Sequence, residues 1–160
     1  MSSDTKYPVL LSPAFLASVI TTHRRNTMSI SNEKGEIGEA AFVLASAKRG
    51  YWTGKMPQGC PYDYVLDKHD GTLLRVQVKF RSLESNGVVT IKLSQNTFTN
   101  RVSYNESNID CLAVYVNELD KVYLIPITAI CDVKEVKLRC VESTKRQDTN
   151  SRMISEYAEW

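Results

Sequence analysis

Residues 73–80 alternate between two kinds of side chain, and this feature most narrows what the chain can fold into. Every second position is apolar (Leu74, Val76, Val78 and Phe80), and the positions between them are Leu73, Arg75, Gln77 and Lys79. A period of two residues is that of a β-strand whose two faces meet different surroundings. The run therefore predicts a strand that rests its apolar face on a hydrophobic core.

The residues before this strand predict a hairpin. Residues 63–67 form a short strand pattern, and the H-D-G sequence at 69–71 supplies a turn in which glycine takes a positive φ. Gln77 and Lys79 lie two residues apart on one strand, so they project from the same face. A hairpin of this kind can bring Asp63 beside both of them, at one edge of a sheet.

This set of side chains suits the hydrolysis of a phosphodiester bond. A divalent ion must neutralise the phosphate and lower the pKa of an attacking water molecule, and Mg²⁺ prefers oxygen ligands. Asp63 offers a charged oxygen, Gln77 a neutral one, and the main-chain carbonyl of Val78 a third. Lys79 can orient the water molecule or stabilise charge on the phosphate.

A helix is predicted over residues 31–50, capped by Ser31 or Asn32 and ended by a basic pair and a glycine. Its expected core stripe follows the spacing i, i+3, i+4, i+7 and consists of Ile37, Ala40, Ala41 and Leu44.

Further strands are predicted at 51–54, 88–93, 111–116 and 121–126, and Pro126 is expected to open a short helix that ends at Ile130. Residues 94–109 are polar without a clean period, which indicates a long surface loop or a weak helix. The order of elements predicts an α/β (α+β) domain with a mixed sheet.

Length and composition allow one domain of 160 residues with a formal net charge of +2, which permits contact with nucleic acid without requiring it. The four cysteines are scattered, which argues against a zinc site and favours a reducing, intracellular compartment. No run is apolar enough for a membrane span. Residues 8–20 are apolar but lack a basic leader and contain two prolines, so we expect a short docking helix and not a secretion signal.

Four short motifs in this order resemble the PD-(D/E)xK nuclease superfamily. They are K-G-E-I-G-E at 34–39, P-Y-D-Y-V-L at 61–66, R-V-Q-V-K at 75–79 and V-Y-L-I-P at 122–126. The resemblance is greatest to the small homing endonucleases encoded in group I introns, which also have Gln in place of the second acidic residue. It implies a restriction-endonuclease-like core with a mixed central sheet flanked by helices, and Mg²⁺ as cofactor with Mn²⁺ as a substitute.

The resemblance also implies roles for individual residues. Asp63 matches the metal-binding aspartate, Gln77 stands in place of the second acid, and Lys79 matches the catalytic lysine. Related nucleases and Holliday-junction resolvases place a glutamate in the first helix after a Lys-Gly pair, a position that Glu39 fits. It would reach the metal through a water molecule, and Glu36 is the competing candidate.

Three segments are expected: an N-terminal extension (1–30), the nuclease core (31–132) and a basic C-terminal tail (133–160) that contacts DNA. Because the catalytic set is too small to recognise a long site, loops and the tail must supply the remaining contacts with double-stranded DNA. The expected contact residues are Lys55, Lys92, Asn96, Asn100, Arg101, Lys145, Arg146 and Arg152.

The preferred interpretation is a homing endonuclease that makes double-strand breaks as a homo-oligomer, a dimer or tetramer, since two strands need two active sites. A junction resolvase or repair nuclease shares the same site and differs in the shape of its substrate. Two interpretations of other classes also stay open. One is a DNA-binding module that has lost catalysis, which the neutral Gln77 favours, and the other is a small core protein with no role in nucleic-acid chemistry.

Overall fold

The structure is a computed structural model that describes residues 30–96, 101–130, 133–141 and 152–160. For residues 95, 96, 101 and 102 it describes the main chain only. The predicted N-terminal extension, apart from Ile30, and much of the predicted tail therefore lie outside the described residues.

A five-stranded mixed sheet organises the chain. In their order across the sheet, its strands are β1 (Trp52–Lys55), β2 (Tyr64–Asp67), β3 (Leu73–Arg81), β7 (Cys111–Val116) and β8 (Lys121–Pro126). The single parallel pairing joins β3 to β7, and the other neighbours are antiparallel. The mixed α+β fold predicted from the sequence is confirmed, with strand bounds that differ by one residue.

Two smaller ladders and three short 3₁₀ helices complete the described part. The strands β4 (Val88–Lys92) and β9 (Glu135–Arg139) pair with each other, as do β5 (Ser94–Asn96) and β6 (Arg101–Ser103). The 3₁₀ helices are Asn117–Leu119, Ile127–Ala129 and Ile154–Tyr157. Because β9 pairs with β4, the predicted tail begins with a strand and not with an extended basic segment. The segment that begins at Ile154 packs into the core.

The interior strand β7, which lies between β3 and β8, separates the core into two clusters. All six of its residues are buried; Cys111, Ala113 and Tyr115 face one cluster, which includes Phe42 of the helix, whereas the alternate residues face the cluster formed with β4 and β9. On β3, Val76 and Val78 are buried in the first cluster, and Leu74 and Phe80 pack against it. The apolar face predicted for this strand is therefore confirmed.

Helix α1 (Ile30–Lys48) forms at the predicted place, but its predicted core stripe is wrong in part. Ala41 packs against the core, whereas Ile37, Ala40 and Leu44 are exposed. Ile37 and Leu44 are 49% and 55% exposed, whereas Gly38, Phe42 and Ser46 are buried. The reason is the close approach of α1 to β3, since a Cβ atom on Gly38 would lie 3.4 Å from the main-chain nitrogen and the Cβ of Phe80. The helix packs through Phe42 and two small residues, Gly38 and Ser46, and hydrophobicity alone does not identify the small ones.

The interpretation of residues 94–109 as a loop or weak helix is also wrong in part. The main chain of 94–96 pairs with that of 101–103 in an antiparallel ladder. Two three-residue strands are too short to show a clear alternation in the sequence. From Tyr104 onward the chain turns back toward the main sheet, where Asp110 N donates to the carbonyl of Arg75.

None of the helices in the described residues combines the length and apolar character that a membrane span requires.

Candidate active site

The candidate site lies where β2 begins, at an edge of the sheet next to β3. Tyr64 of β2 is paired with Val76 of β3, so the preceding residue, Asp63, lies opposite Gln77. The Asp63 amide donates to the Val76 carbonyl at 3.0 Å, which continues the ladder by one step. The hairpin predicted from residues 63–80 therefore brings Asp63 and Gln77 together.

The carboxylate of Asp63 is fixed by β3. Its Oδ2 accepts a hydrogen bond from the Val78 amide at 2.8 Å and another from Gln77 Nε2. Burial raises the pKa of Asp63, and the negative charge of Glu39 adds to the rise, while the hydrogen bond from Val78 and the positive charge of Lys79 oppose it. A half-buried carboxylate of this kind is stabilised in its charged form by a nearby cation.

The side-chain oxygen of Gln77 has no hydrogen-bond donor among the residues that the structure describes. Gln77 is only 5% exposed, and its Oε1 is buried without a hydrogen-bond partner among the described residues. An unsatisfied buried acceptor costs about 1–3 kcal/mol, which a cation bound at this atom would offset. The Val78 carbonyl lies 3.4 Å from Gln77 Nε2.

Lys79 lies on the face of β3 that is turned away from α1. Its Nζ is 2.6 Å from the hydroxyl of Tyr104 and 4.8 Å from the centre of that ring. Burial lowers the pKa of Lys79 to about 8, with the Asp63 carboxylate opposing this effect and the Arg81 guanidinium adding to it. Burial also raises the pKa of Tyr104, so its hydroxyl stays neutral at physiological pH.

Glu39 reaches the site from the other side of the sheet. Its Oε2 accepts a hydrogen bond from Tyr64 Oη at 3.1 Å and forms an ion pair with Lys55 Nζ at 2.8 Å. Tyr64 is the residue next to Asp63, so this contact connects α1 to the carboxylate at the sheet edge. Glu36 is exposed one turn earlier, and the described contacts therefore favour Glu39 as the helix carboxylate of the site.

The structure describes the side chains of only some of the residues expected to contact DNA. Lys55 is engaged with Glu39, Lys92 is exposed at the end of β4, and Arg152 donates from Nη1 to the carbonyl of Ala129. The side chains of Asn96 and Arg101 are not described, although their main chain forms the β5–β6 ladder. Asn100, Lys145 and Arg146 lie outside the described residues.

Two tyrosines at the site were not assigned roles from the sequence. Tyr64 follows Asp63 directly, and alternation along β2 could have indicated that it packs inward on the side of α1. Tyr104 approaches Lys79 across 25 residues of sequence, and no local pattern signals such a contact. Tyr62, the other aromatic neighbour of Asp63, packs against the β4–β9 cluster.

The chain is similar to a known family of nucleases and to a known nuclease structure. The family described as PD-(D/E)XK endonuclease matches residues 29–160. Among solved structures, the chain is similar to a bacterial homing endonuclease, I-Ssp6803I, with 27% sequence identity and a TM-score of 0.65. The alignment covers 82% of this chain and 90% of that one. No curated protein sequence matches.

Proposed function

Because this chain belongs to the PD-(D/E)XK endonuclease family, we propose that it is a metal-dependent endonuclease that hydrolyses phosphodiester bonds of double-stranded DNA. The observation that carries this proposal is that Asp63, Gln77 and Lys79 lie together at the start of β2, where the buried Oε1 of Gln77 has no hydrogen-bond donor within the described part of the chain.

The residues at the site fit a hard divalent cation. The candidate ligands are Asp63, the side-chain oxygen of Gln77 and the carbonyl of Val78, and all three offer oxygen, which Mg²⁺ and Mn²⁺ prefer. Glu39 would contribute through a water molecule. When bound, such a cation neutralises charge on the phosphate and lowers the pKa of water. Gln77 supplies one negative charge fewer than an acidic residue, so we expect weak binding of the cation.

The remaining side chains have distinct roles in this proposal. Lys79 places a positive charge beside Asp63 and orients the attacking water molecule or stabilises charge on the phosphate. The Tyr104 hydroxyl holds the ammonium group of Lys79 at 2.6 Å. Tyr64 and Lys55 hold the Glu39 carboxylate toward the site. Each of these groups is preorganised by contacts within the protein, which is how enzymes stabilise developing charge.

We further propose a homing role, with double-strand cleavage at a specific site by a dimer or tetramer acting on intracellular DNA. The similarity to a bacterial homing endonuclease supports the role, and the need for one active site per strand supports the oligomer. Sequence recognition is assigned to Asn96, Asn100 and the segment that holds them, and phosphate contacts to the basic residues of 133–160. A reading frame inside a group I intron would support homing over repair.

The test of the catalytic assignment uses matched pairs of variants. Asp63→Asn and Lys79→Met should each lower Mg²⁺-dependent cleavage of plasmid DNA at least 100-fold. DNA binding by Asp63→Asn in EDTA should stay within about threefold of that of the wild type. Asp70→Asn and Lys121→Met change the same types of charge at exposed positions away from the site and should cleave normally.

The outcomes separate the competing functions. Cleavage of four-way junctions in preference to linear duplex by the wild type would favour a resolvase. Binding of duplex with no cleavage in Mg²⁺ or Mn²⁺ would favour a DNA-binding module that has lost catalysis. Full cleavage by Asp63→Asn or Lys79→Met would remove these residues from the mechanism.

A further inference from the structure

A further charged side chain lies beyond Gln77 and Lys79 on the same face of β3. Arg81 lies two residues beyond Lys79, and residues two apart on a strand share a face. The guanidinium is half-buried, with Nε donating to the Thr90 carbonyl at 3.0 Å and Nη1 to the Phe80 carbonyl at 2.7 Å. Among the described residues, those two bonds leave part of its hydrogen-bonding capacity unused, since a guanidinium has five N–H donors.

The charge of Arg81 is not neutralised within the described part of the chain. No carboxylate described in the structure forms an ion pair with it, and burial lowers the pKa of its guanidinium. Carbonyl groups satisfy N–H donors but carry no net charge, and a buried charge is costly unless it is paired. The surroundings of Arg81 therefore favour an anionic partner.

Arg75 on the same strand shows how the fold neutralises an arginine that has only a structural role. Its guanidinium binds both oxygens of Asp110, at 3.1 Å from Nε and 2.7 Å from Nη2. It also donates to the carbonyls of Glu106 and Ser107. Arg75 and Arg81 each donate to two main-chain carbonyls. They differ because Arg81 has no carboxylate partner among the described residues.

Lys79 brings a second positive charge close to Arg81. Lys79 and Arg81 are both partly buried on this strand face, and the Val78 amide holds the Asp63 carboxylate beside the same strand. Two cations and one carboxylate on a half-buried face leave an excess of one positive charge. A phosphate group has the charge and the oxygen geometry to bridge an arginine and a lysine.

We propose that Arg81 and Lys79 form an anion site on β3 that binds a phosphate of the DNA backbone at the cleavage site. This inference rests on the proposed function, because it assumes that the bound anion belongs to DNA. Arg81 holds the backbone phosphate through its guanidinium, which the Thr90 and Phe80 carbonyls orient. The contact is made to the phosphate, so it adds affinity for all sequences alike.

The test is a titration of Arg81→Met against random-sequence duplex in EDTA at several salt concentrations. Methionine keeps much of the apolar stem and removes the charge. The slope of log affinity against log salt should fall in magnitude by about 0.9, the value for one lost phosphate contact on duplex DNA. Arg81→Lys should keep the slope, and Lys121→Met, which removes an exposed charge on β8, should keep both slope and affinity.

Stability measurements distinguish an anion site at Arg81 from a purely structural contact between β3 and β4. Because Arg81 has no carboxylate partner among the described residues, the midpoint of urea unfolding should be no lower for Arg81→Met than for the wild type. A variant that fails to fold, or a folded variant with the wild-type salt slope, would overturn the inference. Cleavage in Mg²⁺ is a separate readout, so a chain that binds DNA with the expected slopes and does not cut it would refute the nuclease proposal alone.

Discussion

At the scale of single residues, Gln77 determines the charge and the hydrogen bonding of the site in the absence of a metal. Its Nε2 donates to Asp63, so the amide stabilises the charged carboxylate in the absence of a cation. The variant Gln77→Glu replaces this donor with a second carboxylate at a position that is 5% exposed. Two adjacent carboxylates repel each other and raise each other's pKa, a cost that a divalent cation removes.

We therefore expect Gln77→Glu to lose about 1–3 kcal/mol of stability in EDTA, a fall in Tm of roughly 3–10 °C. Adding Mg²⁺ or Mn²⁺ should raise the Tm of this variant more than that of the wild type. Gln77→Met offers no oxygen ligand and should show the smallest rise of the three. A metal-dependent rise that is no larger for Gln77→Glu than for the wild type would mean that position 77 does not hold the metal.

Asp110 provides a pH-dependent prediction away from the site. Its carboxylate accepts hydrogen bonds from the Arg75 amide, Nε and Nη2, and the side-chain bonds from Arg75 are the main cause of its lowered pKa. A group whose pKa is lowered by folding adds stability above its unfolded pKa, and that stability is lost as the pH falls through the folded value. The contribution is reduced by solvent, since the Asp110 side chain is 32% exposed.

Asp110→Asn should consequently lower the free energy of unfolding by about 1–2 kcal/mol at pH 7. The difference from the wild type should narrow as the pH falls below the unfolded pKa of about 4 and toward the lower folded pKa of Asp110. Urea unfolding of both proteins at pH 7, 5 and 3 measures it. A difference that stays constant over this range would show that the charge of Asp110 contributes nothing.

The sequence carried enough information to predict part of the site at this scale. Asp63, Gln77 and Lys79 follow from the alternation of one strand and the length of one hairpin, because register fixes which residues face each other. The same alternation extends to Arg81, which stayed unassigned because a charged residue at a strand end is usually solvated. Tyr104 depends on a contact between distant segments, for which the sequence has no periodic signal.

At the scale of elements, the approach of α1 to β3 holds Glu39 in place. Gly38 precedes Glu39 and packs on Phe80. Gly35 lies one turn earlier in the same helix, and a Cβ atom added there would meet nothing within 4 Å. The two glycines therefore form a matched pair. Valine at either position improves helix propensity by a few tenths of a kcal/mol, but at Gly38 it must also displace the helix from the strand.

We expect Gly38→Val to lower stability by about 1–3 kcal/mol through overpacking and to reduce cleavage by moving Glu39 relative to Asp63. Gly35→Val should leave stability within about 0.5 kcal/mol of the wild type and cleavage unchanged. Thermal unfolding and a plasmid cleavage assay on the same preparations measure both effects. Equal behaviour of the two variants would show that the contact of Gly38 with β3 does not position the helix.

The elements predicted correctly and incorrectly differ in what specifies them. The strands of the central sheet carry apolar runs or alternation and were placed within a residue or two. The orientation of α1 was wrong because its buried face is made of Gly38, Phe42 and Ser46, where Ser46 is satisfied by donating to the Phe42 carbonyl at 2.9 Å. Small residues mark a close approach of two backbones, which depends on the partner surface and not on the helix itself.

At the scale of the whole molecule, the face of α1 that the sequence assigned to the core is exposed. Ile30, Ile37 and Leu44 are 72%, 49% and 55% exposed, and their spacing of seven residues puts them on one side of the helix. Exposed apolar residues arranged in a stripe, in contrast to scattered ones, mark a contact surface. A second copy of the chain is the partner that the proposed cleavage of two strands requires, and we assign this stripe to the contact between copies.

The double variant Ile37→Glu, Leu44→Glu should then convert the oligomer to a monomer at micromolar concentration, measured by sedimentation velocity. Its cleavage of supercoiled plasmid should shift from linear to nicked product, since an isolated chain has one active site. Val133→Glu puts the same charge at another apolar residue, 51% exposed, and should leave the mass and the products unchanged. A monomeric wild type would refute the assignment. If the double variant of such a monomer also had a lower Tm, the apolar residues 8–20 of the same chain would be the partner of the stripe instead.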